Sequence, residues 1–251
     1  MIEVKNICKS FDGRMILDHV NVTFEEGKTN LVIGSSGSGK TVLIKCLVAL
    51  YQIDEGSILY DGRDFSLLDE DQRRDIRKEI GMVFQGGALF DSQTVEENVA
   101  FPLQMFGNMS VEERRERVNF CLNRVNLTNA NKLFPSQLSG GMKKRVAIAR
   151  AISLNPRYLF CDEPNSGLDP KTSIVIDNLI HEITAEYNIT TVINTHDMNS
   201  VLEIGEKIIY LNKGQKWWEG DKQAILETDN QEINDFVYAS ELFKRIRKAS
   251  R

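Results

Sequence analysis

The octet GSSGSGKT, residues 34–41, sets three glycines and three serines ahead of a lysine and a threonine. A glycine costs a regular element roughly 0.5–1 kcal/mol in lost backbone entropy, so such a cluster needs a compensating gain. Gly34, Gly37 and Gly39 let the chain curl until successive backbone amides, Ser35, Ser36 and Ser38 among them, point at phosphate oxygens. The preceding LVI is strand-like and residues 39–50 are helix-like, so the positive end of a helix faces the same point. Lys40 can reach the β- and γ-phosphates, and the Thr41 hydroxyl can ligate magnesium. A flexible linker would need neither the strand before nor the Lys-Thr pair after. The octet implies a site for a nucleoside triphosphate with Mg²⁺.

Such a site needs an acidic partner at the end of another strand. RYLFCDEP supplies it. Asp162 is placed to hold magnesium, directly or through water, and Glu163 to orient and deprotonate an attacking water. An acidic pair after a strand is ordinarily just solvated; the phosphate loop is what changes its meaning. Pro164, with no amide hydrogen, ends the strand.

The elements that must position these residues follow from the periodicity. IEVKNIC, LDHVNVTF, TNLVI, GSILYDG and EIGMVF are strand-like, as are RYLFC and ITTVIN, with a helix over residues 171–186 between the last two. Strands alternating with helices predict an α/β fold with a mostly parallel sheet. Residues 94–154 change texture: charged and apolar residues recur at helical spacing, and Ser110 with Glu113 fits a capping box. This stretch is expected to be an inserted helical lobe within one domain spanning 1–251. KIIYLNKGQKWWEG predicts a hairpin, and 221–251 two short helices and a basic tail. In a strand, adjacent Trp217 and Trp218 would face opposite sides.

Composition narrows the function. Thirty-six acidic against 31 basic residues leave a net charge of −5, which argues against a nucleic-acid partner. Cys8, Cys46, Cys121 and Cys161 lie in apolar surroundings without metal-ligand spacing and are expected to be reduced core residues. The first residues lack the basic-then-apolar pattern of a signal peptide. No apolar run approaches the roughly 20 residues of a bilayer span, so a membrane role would come through a partner.

LSGGMKKRVAIARA, residues 138–151, resembles the signature motif of the ABC ATPase family. With it, Gln85 after GMVF is similar to the Q-loop glutamine, SGLD at 166–169 to the D-loop, and His196 in NTHD to the switch histidine. Phe11 stands where the family has an aromatic that stacks on adenine. The resemblance covers nearly the whole chain. It implies a RecA-like P-loop core with an N-terminal antiparallel β subdomain and a helical lobe. It also implies two copies meeting head to tail, with Ser139, Gly140 and Gly141 of one facing the phosphate loop of the other. His196 would contact the γ-phosphate, and Gln85 would sense magnesium or water and report to a transmembrane permease. The implied location is the cytoplasmic face of the inner membrane, peripheral through that permease. The sequence departs from the family at Asn165, where Thr is common, and at Phe11, where Tyr is more frequent; neither puts catalysis in doubt.

A finer resemblance is to the ATPase subunits of Mla-type lipid transporters. It is carried by GSSGSGKTVLIKCLVAL, VFQGGALFDSQTVEENVAFPL and LSGGMKKRVAIARA, with Met142, Lys143 and Lys144 in place of a common Gln-x-Gln. It implies a phospholipid cargo, a lipid-binding single-span subunit and an accessory regulatory subunit. Another cargo, such as an amino acid or a lipoprotein, is the nearest alternative. A soluble, non-transport ATPase on the same cassette is a further one.

Overall fold

The computed structural model describes residues 1–238. The first strands are β1 (Ile2–Phe11), β2 (Arg14–Phe24) and β3 (Thr29–Ile33), followed by β4 (Glu55–Tyr60) and β5 (Arg63–Asp64). Then come β6 (Ile80–Val83), β7 (Tyr158–Asp162), β8 (Thr190–Asn194), β9 (Lys207–Asn212) and β10 (Gln215–Gly220). The helices are α1 (Lys40–Leu47), α2 (Glu70–Lys78), α3 (Val95–Phe106), α4 (Val111–Arg124) and α5 (Gly140–Ala151). They continue with α6 (Pro170–Glu186), α7 (Met198–Ile204), α8 (Ala224–Glu227) and α9 (Gln231–Val237).

Two sheets result. One is antiparallel in the order β2-β1-β4-β5; the other runs β10-β9-β3-β8-β7-β6, parallel except for the β9–β10 hairpin. The mixed sheet is buried on both faces, and alternate residues of one strand feed two different cores. Leu31 and Ile33 belong to the core shared with the helices α3–α6, whereas Val32 belongs to the core closed by the antiparallel sheet and α1. Leu159 and Cys161 against Phe160, and Ile193 against Val192, divide in the same way. The strands that end at the functional loops are thus clamped from both sides.

Residues 94–154 carry α3, α4 and α5 with no strand. Capping boxes at Thr94–Glu97 and Ser110–Glu113 start α3 and α4. The expected hairpin is β9–β10, where Trp218 packs on the core and Trp217 is exposed. All four cysteines are free and buried. The helix after the phosphate loop stops at Leu47, short of residue 50, because Ala49 takes a left-handed backbone. Helix α2 has no counterpart in the expectations. Only Ile76 of its nine residues is buried, so its apolar period is faint. The basic tail from Lys244 to Arg251 lies outside the described residues. Among the described residues no helix is long and apolar enough to cross a membrane.

Candidate functional site

Strands β3, β7 and β8 are neighbours in the parallel sheet, so the loops after Ile33, Asp162 and Asn194 emerge side by side. Together they line a cleft of about 1400 Å³, with the phosphate-loop residues on one wall and Gln85, Glu163, Ser166 and His196 on another. This is the placement expected of an open α/β sheet, where ligands bind beyond the carboxyl ends of the strands.

The phosphate loop is held by its own chemistry. Gly34 has φ of +148°, and a Cβ there would run into the Leu211 carbonyl oxygen and come within 2.9 Å of Ser38 Oγ. Lys40 opens α1 and folds back, donating to the Gly34 and Ser35 carbonyls at 2.8 and 3.0 Å. It is buried, and that desolvation lowers its pKa against the opposing pull of the Glu163 and Asp162 charges. An ammonium held only by carbonyl dipoles is poised to exchange them for an anion.

Thr41, Asp162 and Asn194 make a compact oxygen-rich group. Thr41 Oγ1 donates to Asp162 Oδ1 at 3.2 Å, and Asn194 Nδ2 donates to the same carboxylate oxygen at 2.6 Å and to Thr41 Oγ1 at 3.2 Å. Asn194 Oδ1 and Ser38 Oγ are buried with no hydrogen-bond partner among the described residues. Hard oxygen donors from Thr41 and Asp162, beside an orphaned amide oxygen, fit a small divalent cation that keeps part of its water shell. Magnesium therefore fits the residues present.

Glu163 adopts φ of +46°, a strained value for a side chain with a Cβ, and its amide donates to the Asn194 carbonyl at 2.9 Å. That conformation turns the carboxylate into the cleft. Gln85 Nε2 donates to Glu163 Oε2 at 2.8 Å and lies 3.4 Å from Ser166 Oγ, while His196 Nδ1 is 2.9 Å from Glu163 Oε1. The structure thus brings Gln85 to Glu163 rather than to the Thr41–Asp162 pair, where a magnesium-binding role had been expected.

Two further groups lie outside this cleft: Phe11, and Ser139–Gly141, which are expected to face the cleft of a second copy. Phe11 packs edge-on against Tyr51 at 5.1 Å with the Lys9 ammonium over its ring, and it remains partly exposed. Ser139, Gly140 and Gly141 form the start of α5, where Ser139 Oγ accepts the Met142 amide at 3.3 Å. That end rests on the start of α6: a Cβ at Gly141 would meet Thr172, and one at Gly140 would meet Leu168.

Two residues around the site carry roles that the sequence does not show. Asn194 is one; an asparagine closing an apolar strand carries no periodic signal. Asn165, read as an interchangeable small polar residue, is buried. Its Nδ2 donates to Ser200 Oγ at 2.8 Å and Asp177 Oδ2 at 3.1 Å, and Ser200 donates to Asp177 at 2.7 Å. The triad ties the loop after Glu163 to α6 and α7, and burial pushes the Asp177 carboxyl up to about 6.

A family model described as ABC transporter matches residues 17–166. The chain is similar to methionine import ATP-binding proteins MetN of several bacteria. That of Clostridium acetobutylicum is 37% identical over 241 residues, which is 96% of this chain and 75% of that protein. A dimeric, post-hydrolysis structure of the ATP-binding cassette MJ0796 bound to ADP and Pi is 38% identical with TM-score 0.79, covering 88% of this chain and 99% of that one. The structure of cbiO1 from Clostridium perfringens, part of the ABC transporter complex cbiONQ, has TM-score 0.84 and 27% identity over 99% of this chain and 98% of that one.

These findings correct the finer resemblance to Mla-type lipid-transport ATPases. These relatives are methionine import ATP-binding proteins and the cbiO1 subunit of an ABC transporter complex, not lipid-transport subunits. The physical reason is plain in the fold. Two of the three stretches that carried the resemblance build the phosphate loop with α1 and the signature end with α5, and the third starts at the Q-loop. The first stretch lines the cleft and the third reaches it at Gln85, and residues so placed say little about cargo. The lipid-binding single-span subunit rested on that resemblance alone and goes with it. What the fold, the cleft and the comparisons jointly establish is membership: this chain belongs to the ABC transporter family, as a subunit that binds and hydrolyses ATP with Mg²⁺.

Proposed function

We propose that this chain powers an amino-acid transporter, with methionine the first cargo to test. It would work as a head-to-tail pair at the cytoplasmic face of a membrane, beside a transmembrane permease. The observation that carries the cargo is the similarity to methionine-import ATP-binding proteins over 96% of the chain. The pairing is supported by the position of Ser139–Gly141, whose helix start lies outside its own cleft and suits an anion presented by a second copy. The MJ0796 cassette, similar over 88% of this chain, is dimeric.

Within each site Thr41 and Asp162 would hold magnesium, which when bound neutralises charge on the β- and γ-phosphates. The loop amides and Lys40 bind the phosphates, Lys40 exchanging the Gly34 and Ser35 carbonyls for phosphate oxygens. Glu163 accepts the proton of the attacking water. Its two oxygens face His196 and Gln85, so the carboxylate is oriented from both sides before substrate arrives. Closure of the pair excludes bulk water and completes the site.

The test is co-purification of the tagged chain with its permease, reconstitution in proteoliposomes and measurement of ATP-dependent movement of labelled methionine against other amino acids. Methionine transport with ATPase activity stimulated by methionine is the expected result. Turnover without transport or stimulation by any amino acid would discard the cargo and leave the ATPase standing.

A further inference from the structure

Helix α5 carries two buried cations whose hydrogen-bond partners are main-chain carbonyls. Lys144 is 6% and Arg150 9% exposed, and among the described residues neither makes an ion pair. Lysine and arginine are almost never so buried unless paired, so their partners call for an account. Arg150 donates to the Gly87 and Ala88 carbonyls, both at 2.7 Å. Lys144 donates to the Gln85 carbonyl and lies 3.5 Å from the Glu163 carbonyl. The loop after Gln85 is thereby clasped onto α5 through three of its carbonyls, and Gly87 sits over the helix turn between Lys143 and Ala147. Of the two cations, Lys144 reaches both that loop and the main chain of Glu163, and Arg150 the loop alone. Burial lowers the pKa of both cations; nothing offsets it at Arg150, and at Lys144 the Cys161 and Glu163 charges offset it only in part, so the placement is unfavourable on electrostatic grounds and is retained for geometry.

Lys144 lies one turn after Gly140, at the end of α5 that begins with Ser139–Gly141. A helix is stiff over one turn, so displacement of that end by an anion moves the Lys144 ammonium with it. We propose that Lys144 is a positioning residue whose ammonium ties the Gln85 and Glu163 carbonyls to the start of α5, so that occupancy at Ser139–Gly141 adjusts where the Glu163 carboxylate stands. The inference rests on the reading of Glu163 as the group that activates water. It extends that reading from one cleft to the communication between two. Glu163 is held in a strained backbone conformation, and a small shift of its carbonyl rotates the side chain relative to His196 and Gln85.

The experiment compares full-length wild type, Lys144→Met, Lys144→Gln, Arg150→Met and Glu163→Gln in steady-state ATP hydrolysis, in binding of a fluorescent ATP analogue, and in thermal melting. Met keeps the length of the lysine stem and removes every donor; Gln keeps a neutral amide donor group on a shorter reach. Lys144→Met is expected to lower kcat about 10-fold or more with KM within about twofold and with a flatter dependence of rate on ATP concentration, since misplacing a reacting group costs kcat rather than binding. Lys144→Gln should recover part of kcat. Arg150→Met, which loosens the same loop without touching Glu163, should lower the melting temperature yet keep kcat within about threefold. Equal kcat losses in Lys144→Met and Arg150→Met, or an unchanged kcat in a folded Lys144 variant, would overturn the proposal. If Glu163→Gln hydrolysed ATP like wild type, the role of Glu163 itself would fall, and this inference with it. If Lys144→Met does not fold, the Lys144→Gln comparison decides alone.

Discussion

Glu163 concentrates the chemistry of the cleft in one residue. Its backbone is strained, its amide is fixed by the Asn194 carbonyl, and its two carboxylate oxygens are shared between His196 and Gln85. Under the proposed mechanism, replacing it by Gln keeps the shape and removes the base. The expected outcome is a turnover reduced about 10²–10³-fold with ATP affinity retained, measured by phosphate release alongside nucleotide binding. The acidic pair, the phosphate loop and His196 were legible in the sequence because motif order and strand ends mark them. Asn194, Lys144 and Asn165 were not. Their partners are main-chain carbonyls or residues far along the chain, as with Asn165 and Ser200, and no spacing rule connects them.

The phosphate loop depends on a glycine at its first position, where the backbone suits no other residue. At Gly34 both the torsion and the space are forbidding, since a methyl group would press on the Leu211 main chain. At Gly37 the torsion is left-handed, φ +79°, but nothing lies within 4 Å. Gly34→Ala is therefore expected to destabilise by about 2–4 kcal/mol in urea unfolding. Gly37→Ala should cost only about 1 kcal/mol in the same assay. Equal costs would mean that the Leu211 contact is not what demands Gly34. Elements with a clear period or cap were legible, such as α4 with its Ser110–Glu113 box. Helix α2 also starts with a capping box, Asp69 with Gln72, yet it went unread because a nine-residue helix burying one side chain has almost no apolar period.

At the scale of the molecule, the Asn165–Asp177–Ser200 triad joins three segments beneath the cleft. Desolvation raises the Asp177 carboxyl from 3.8 to about 6, so the folded state binds its proton more tightly than the unfolded state does. Between those values the native chain holds more protons at this site. The contribution of Asp177 is then most favourable at low pH and is lost as pH rises through about 6. Asp177→Asn removes that dependence. The stability difference between variant and wild type should shift in favour of the variant from about pH 4 to about pH 6 and level off above it, followed by denaturant unfolding at each pH. A difference that stays constant across the window would show that Asp177 titrates normally.

The two-faced burial of the central sheet also bears on how the chain finds its alignment. A strand with one wet face cannot slip by a residue without turning its apolar side chains into water. Here Leu31, Val32 and Ile33 are apolar on both sides, so hydrophobicity alone discriminates weakly between neighbouring registers. Polar side chains at the strand ends supply the discrimination. Buried Asn30 donates to the carbonyls of Glu25, Lys28 and Thr191 and accepts the Glu25 amide, and Asn194 reaches Asp162 and Thr41. A slip would strand these amides in a dry interior. Asn194 thus proofreads strand alignment with the same nitrogen that braces Thr41 and Asp162, and a misaligned chain would lose its fold and the geometry of its cleft together.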